Sequence, residues 1–248
     1  MTEKMEISIV FNNVASQNTL KEGFGFAAWL QVEEHAVLLD TGSDGKILLR
    51  NMKTLGLDPG QLDAIVLSHD HWDHRDGLPE VLEHTPVGTP VYVPADVAAA
   101  LGSRFPQARL VSTEDPVEVA PGVWTTGQVV GRYKDAPLPE HAVMVDTTEG
   151  LVVVAGCSHP GIERLLERVR ENRPGRPVLL AAGGFHLRDH DAETIQALAE
   201  EIRPFVRHVA PSHCSGELAR KVFREVWGEA FVELGLGARF SVAPGIDY

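Results

Sequence analysis

A chain of 248 residues with 44% apolar and 23% charged side chains has ordinary globular composition and enough length for a substantial core. Its 22 basic against 35 acidic residues give a formal charge of −13, which argues against a general electrostatic affinity for nucleic acid or an anionic membrane surface. Met1 to Glu6 holds no long apolar run and no stretch approaches the ~18 apolar residues of a membrane span, so a cytoplasmic protein is expected.

In chain order, Glu6 to Phe11 reads as an opening strand closed by Asn12 and Asn13, which either make a turn or face a cleft. Gly25 to Val32 and Ala36 to Leu39 read as a hairpin around Glu33-Glu34-His35 that delivers Asp40 to its end. Asp40 to Ser43 is a turn and helix cap before a helix from about Lys46 to Leu55, and Leu62 to Leu67 is a short buried strand. A short helix from Leu78 to His84, a strand from Pro90 to Val93, a helical turn or two from Val97 to Leu101 and a strand from Ala108 to Ser112 follow. Glu114 to Pro139 suggests antiparallel strands and a long loop through Arg132-Tyr133-Lys134-Asp135, either a lid or an ordinary crossover.

The second half repeats strand and helix. Ala142 to Asp146 and Leu151 to Ala155 are strands, then come a helix from Ile162 to Glu171, the strand Pro177 to Ala182, a helix from Ala192 to Ile202 and the strand Val206 to Ala210. Three of these strands lead into His159, His186 and His213, so ligands distant in sequence converge on one sheet edge, where open α/β sheets place their sites. Arg164, Arg168, Arg170, Arg173 and Arg176, interleaved with Glu163, Glu167 and Glu171, read as a salt-bridged solvent face rather than a nucleic-acid patch. No linker or change of composition interrupts the chain, and a single domain over residues 1–248 is expected.

Ser68-His69-Asp70-His71-Trp72-Asp73-His74-Arg75-Asp76-Gly77 packs three imidazoles and a carboxylate in the order H-x-H-x-D-H onto the loop after a strand. Alternation along an extended loop points His69 and His71 to one side, while Asp73 and His74 reach a neighbouring position. Neutral imidazole and carboxylate are ligands for divalent transition metals, and this count exceeds what one open-coordinated ion takes from one loop, so two half-sites are expected. Only two cysteines occur, Cys157 and Cys214, too few for a disulfide framework, and both lie inside candidate site segments. No serine nucleophile elbow is present, and Gly183-Gly184 lacks the Lys-Ser/Thr of a nucleotide-binding loop.

The motif resembles the signature of the metallo-β-lactamase-fold hydrolases, and the resemblance extends to Leu38-Leu39-Asp40-Thr41-Gly42, Gly156-Cys157-Ser158-His159-Pro160-Gly161-Ile162, Gly183-Gly184-Phe185-His186-Leu187 and Pro211-Ser212-His213-Cys214-Ser215-Gly216. The last three blocks are similar to a subgroup labelled 7,8-dihydropterin-6-methyl-4-(ribofuranosyl)aminobenzene-5'-phosphate synthase-like. The resemblance implies an α/β fold of the four-layer αβ/βα sandwich type. It also implies that His69, His71 and His159 hold one metal and that Asp73 and His74 hold a second. For the remaining ligand topology favours His186, while the Pro211-Ser212-His213 setting makes His213 the competitor. Whichever of the two is not a ligand contacts substrate, as a general acid, or orients a ligand from behind. Asp40 takes a structural role beside the signature loop. Many members of the superfamily carry a bridging aspartate where this chain reads Gly156-Cys157, so Cys157 is either a thiolate ligand or a small buried residue.

Two ions ~3.5 to 4 Å apart share a water, lower its pKa and clamp attacking and leaving oxygens, which suits hydrolysis of phosphoesters, thioesters or amides. Asp73 and His213 are the expected catalytic groups, with zinc the first expectation and manganese, iron or nickel as alternatives. The favoured reading is a hydrolase of a small phosphodiester or cyclic phosphate. A pterin-related phosphate synthase-like enzyme and a non-catalytic metal or ligand sensor are the alternatives. The sequence leaves a homo-oligomer open. Asp70 and Asp76 are read as loop carboxylates and His141 as solvated, and His35, His84, His190 and His208 receive no role.

Overall fold

A computed structural model describes residues 1–15 and 18–243. One sheet contains β1 (Met5–Phe11), β2 (Ala27–Val32), β3 (His35–Leu39), β4 (Leu62–Val66), β5 (Pro90–Pro94), β6 (Arg109–Thr113) and β15 (Arg239–Val242), in the order β15-β1-β2-β3-β4-β5-β6. The other contains β7 (Glu118–Ala120), β8 (Val123–Thr125), β11 (Val143–Thr147), β12 (Gly150–Ala155), β13 (Val178–Gly184) and β14 (Val206–Ser212), in the order β14-β13-β12-β11-β8-β7. Strands β3 to β6 run parallel, as do β12 to β14, so their carboxyl ends lie along one rim of each sheet.

Parity along the strands explains why these segments are continuously apolar. Val37 and Leu39 of β3 face Val152 and Val154 of β12 in the core between the sheets, together with Ala64, Val66, Val143 and Val145. The intervening residues face outward and are also covered. Leu38 and Ile65 pack beneath α1 (Gly45–Leu55) and α3 (Leu78–Leu82), and Leu151 and Val153 beneath α5 (Ile162–Asn172) and α6 (Ala192–Ile202). A strand buried on both faces has no polar alternation to show. The result is a four-layer αβ/βα sandwich.

One stretch differs from the sequence reading and another received no reading. Glu114 to Pro139 contains no long loop: β9 (Val129–Tyr133) and β10 (Ala136–Glu140) pair as an antiparallel hairpin. Its two-residue turn, Lys134 and Asp135, has φ of 45° and 64°. Such a turn ordinarily carries Asn-Gly, and Lys-Asp conceals it. The chain beyond His213 forms α7 (Gly216–Trp227), whose Ala219, Val222, Phe223 and Trp227 are buried, and then β15. The short helices α2 (Trp72–Arg75) and α4 (Ala98–Arg104) complete the set used below. Among the described residues no helix is long and apolar enough to cross a membrane.

The basic run on α5 is only partly ion-paired. Arg168 lies 3.5 Å from Glu171, whereas Arg170 and Arg173 cover the rings of Phe205 and Trp124.

Leu180, fully buried between the sheets, is the point at which the shared core is most simply tested. Leu180→Ala is expected to lower unfolding free energy by about 2 to 5 kcal/mol in urea titration, through lost transfer free energy and the cavity left behind.

Candidate metal centre

The carboxyl ends of β3, β4, β12, β13 and β14 meet at one rim. Four non-glycine residues with positive φ stand there, Asp40 (58°), Ser158 (61°), His186 (51°) and His213 (51°). Each turns the chain sharply out of its strand and aims nearby side chains inward, a conformation that costs energy and persists where surrounding contacts impose it.

Two triads result. Ring nitrogens of His69, His71 and His159 lie within 4.8 Å of one another, and so do ligand atoms of Asp73, His74 and His213. His69 and His71 come from the loop after β4, and Asp73 and His74 from the first turn of α2. His213 Nε2 is 3.4 Å from Asp73 Oδ2 and 3.2 Å from His74 Nε2. His186, favoured above for this place on topology, instead groups with Cys157 and His159. The reason is where the strands face. His213 packs its ring beside Phe24 and Phe26, and Phe26 N donates to Asp73 O at 3.2 Å, so the end of β14 meets the α2 side of the rim. His186 follows β13 and lies over His159, with ring centroids 4.2 Å apart.

Hydrogen bonds behind the rings select which nitrogen faces the cluster. Asp40, fully buried, accepts from Ser68 N at 2.7 Å and Ser68 Oγ at 2.8 Å, and its Oδ2 is 2.7 Å from His74 Nδ1. Ser68 Oγ in turn meets His69 Nδ1 at 2.8 Å. One carboxylate therefore orients His74 directly and His69 through a hydroxyl, leaving each Nε2 toward the cluster, the arrangement by which outer groups position metal-binding histidines. Asn13 does the same for His213, with Oδ1 at 3.1 Å from Nδ1. The second sheet has its own buried carboxylate: Glu140 accepts from the backbone N–H groups of Cys157 (2.8 Å), Ser158 (2.8 Å) and His159 (2.7 Å).

His69 Nε2, both ring nitrogens of His159 and His186 Nδ1 are buried without a hydrogen-bond partner. Buried polar atoms are rarely left so, and here these residues fall into the groups His69–His71–His159 and Cys157–His159–His186, donor sets suited to divalent metal. Electrostatics agree for the first triad. Burial, reinforced by neighbouring imidazoles, pushes His69 well below the usual histidine value. Burial lowers His71 to about 4 although Asp73 opposes it, and lowers His159 to about 2. These rings keep their lone pairs at neutral pH. Burial works against a charged His74 too, but Asp40 and then Asp73 outweigh it and raise that ring to about 9. An ion entering there displaces a proton, so loading is coupled to pH. Asp73 is held at about 2 by His213 and His74 despite its burial.

The cluster opens into a cavity of about 400 Å³ whose rim carries Phe24, Trp72, Tyr133, Lys134 and Arg188. Phe24 and Trp72 stack with ring centroids 5.8 Å apart, and the Tyr133 ring leans on His71 at 4.6 Å. Tyr133 and Lys134 stand at the tip of the β9–β10 hairpin. It crosses the His159 backbone so closely that a Cβ at Gly131 would lie 2.5 Å from the carbonyl carbon. A larger cleft of about 1090 Å³ beside Arg170, Arg176 and Arg203 holds none of the clustered ligands.

Some roles were hidden in the sequence. Glu140 was not singled out in the sequence; its signal was only its position before an apolar strand. Phe24 and Arg188 carried none. His141, read as solvated, is fully buried, with Nε2 donating to Leu67 O at 3.0 Å and Nδ1 at 3.0 Å from the Thr113 hydroxyl, because β11 begins between the two sheets. Asp70 and Asp76 flank the Arg75 guanidinium, as loop carboxylates would.

This architecture is the metallo-β-lactamase fold, and a model described as the beta-lactamase superfamily domain matches residues 35–153. The 7,8-dihydropterin-6-methyl-4-(beta-D-ribofuranosyl)-aminobenzene-5'-phosphate synthase of Methanocaldococcus jannaschii is 27% identical over 258 aligned residues, spanning 86% of this chain and 88% of that protein. A metal-dependent hydrolase of the β-lactamase superfamily matches in structure with a TM-score of 0.79 at 24% identity, covering 96% of this chain and 99% of the other. The metallo-β-lactamase fold protein YhfI of Bacillus subtilis matches with a TM-score of 0.70 at 14% identity, over 97% of this chain and 100% of its own.

Asp40→Ala is expected to lower metal affinity ~10- to 100-fold, read by chelator competition, because His74 and Ser68 lose the acceptor that orients them. His141 gives a pH signature away from the triads. Burial lowers it from 6.5 to about 4, so above pH 6.5 it is neutral folded or unfolded, whereas between the two values only the unfolded chain takes up the proton. Stability therefore falls as pH drops through that window, by roughly 2 kcal/mol at pH 5 from this group. His141→Gln should show a correspondingly shallower loss between pH 7 and pH 5 in urea unfolding.

Proposed function

We propose that the protein is a metal-dependent hydrolase of small phosphoesters that holds two divalent ions, one at His69, His71 and His159 and one at Asp73, His74 and His213. The observation that carries this reading is the pair of adjoining triads opening on a single cavity. Lys134 and Arg188 stand at its rim in a chain of formal charge −13. These two cations, which share the lining with Asp189, can meet a compact anionic group. Divalent ions bound there would supply Lewis-acid polarisation of a phosphoryl oxygen and activation of water near neutral pH. Zinc suits the histidine-rich donors best, with manganese, iron or nickel as alternatives.

The chain's own groups divide the remaining work. Asp73, ionised and within reach of the cavity, orients a water proton. His213 fills a ligand position, so the proton donor for the leaving oxygen is His186, which lines the cavity and has an unpartnered Nδ1. The Cys214 sulfur beside it favours its charged form and raises its pKa above 6.5, although burial opposes this. Arg188, whose guanidinium lies 5.5 Å from the Phe24 ring centroid, holds the phosphoryl charge at the rim.

The stacked Phe24 and Trp72 favour a second, related reading. A flat aromatic wall beside a cationic rim fits a phosphorylated substrate bearing a ring, and the Methanocaldococcus jannaschii relative is named for a pterin-containing phosphate. The two readings share metal and site and differ in whether the product is that of hydrolysis or of synthesis.

Protein purified without chelator should carry close to two metal equivalents by elemental analysis and should turn over an activated phosphodiester. His71→Ala should reduce that turnover by more than ~100-fold with the fold intact by circular dichroism. Arg188→Ala should raise KM for the phosphoester about tenfold while kcat changes little. Full metal loading without turnover of any phosphomonoester, phosphodiester or cyclic phosphate would sink the hydrolase reading in favour of a synthase or a sensor.

A further inference from the structure

Cys157 sits between the triads rather than in either. Its Sγ lies within 4.8 Å of ring nitrogens of His69 and His159 in the first triad, and of His74 and His213 in the second. The sulfur is 3.2 Å from His74 Nε2. His69 Nε2, fully buried, faces the same group without a hydrogen-bond partner. The position is built: Glu140 fixes the Cys157 backbone N–H, and Gly156 permits a close approach. A Cβ there would lie 2.1 Å from Ser68 Oγ and 2.8 Å from Asp40 Oδ2, so only glycine lets the end of β12 press against the network that orients His69 and His74. Cys214 is placed differently. Its sulfur accepts from His186 N at 3.3 Å, lies 3.6 Å from Cys157 O and joins only one candidate group.

Resting on the dinuclear reading above, we infer that Cys157 supplies a thiolate shared by both ions. Two divalent cations a few ångströms apart repel, and an anion between them offsets that repulsion. Among the described residues Asp73 is the only carboxylate in the candidate groups, and it belongs to the second triad. The central anionic position therefore falls to sulfur. Loading replaces the S–H bond with metal–sulfur bonds, and the proton leaves to solvent. A soft bridging donor biases the site toward zinc, cobalt or iron(II) and away from manganese or magnesium, which prefer oxygen.

Cobalt(II) in place of the native metal tests this directly, because a thiolate on cobalt gives a near-ultraviolet charge-transfer band that imidazole and carboxylate do not. Wild-type protein should take up two equivalents and show the band. His71→Ala, which breaks the first triad, and His213→Ala, which breaks the second, should each bind one equivalent and each retain the band. Cys157→Ser should lose the band and weaken both ions ~10- to 100-fold, whereas Cys157→Asp should lose the band and keep two equivalents. A band surviving in only one of the two histidine variants would make Cys157 a terminal ligand and overturn the shared sulfur while leaving the dinuclear reading intact. A band persisting in Cys157→Ser and lost in Cys214→Ser would transfer the role to Cys214. Uptake of a single equivalent by the wild type would remove the dinuclear reading itself.

Discussion

The buried carboxylate of Asp40 is the constraint on which the site depends. It has no exposure to solvent and accepts three hydrogen bonds, from Ser68 N, Ser68 Oγ and His74 Nδ1. An unpartnered charge at that depth would be prohibitive, so each donor is held as firmly as the carboxylate needs it. The bonds reach from the end of β3 to the loop after the neighbouring parallel β4, and they fix one nitrogen of His74 and, through Ser68, one of His69. The left-handed turn at Asp40, with φ of 58°, is the local strain that this network sustains.

Glu140 is its counterpart in the second sheet. Three consecutive backbone N–H groups converge on it, and they belong to the residues that present Cys157 and His159. Burial pushes its carboxyl up to about 6 even though those donors pull the other way. Each half of the sandwich therefore carries one buried acid behind the cluster. The apolar core between the sheets keeps the two halves in register, because Val37 and Leu39 on one side and Val152 and Val154 on the other point into the same layer.

Chemistry and recognition occupy different parts of the rim. The imidazoles and Asp73 hang from strand ends and from the first turn of α2, the rigid positions. The outer wall of the cavity comes from Phe24, Trp72, Arg188 and the tip of the β9–β10 hairpin.

His69, His71, Asp73 and His74 were legible at once, because candidate ligands within six residues of one loop need only local geometry. The parallel strands were equally plain, since a strand covered on both faces is an unbroken apolar run. The cluster of candidate ligands was therefore written in the sequence itself, and the αβ/βα sandwich was implied by the family resemblance. Three things were not. Whether His186 or His213 joins Asp73 depends on which strand end faces α2, a matter of how two sheets stack. The hairpin carrying Tyr133 hides behind an uncharacteristic Lys-Asp turn. Glu140 and Asn13 act through hydrogen bonds to residues 17 and 200 positions away, respectively. The sequence determined which donor atoms exist and which of them travel together; only the packing of one sheet on the other decided how they are shared, because that packing sets distances between residues that no local rule connects.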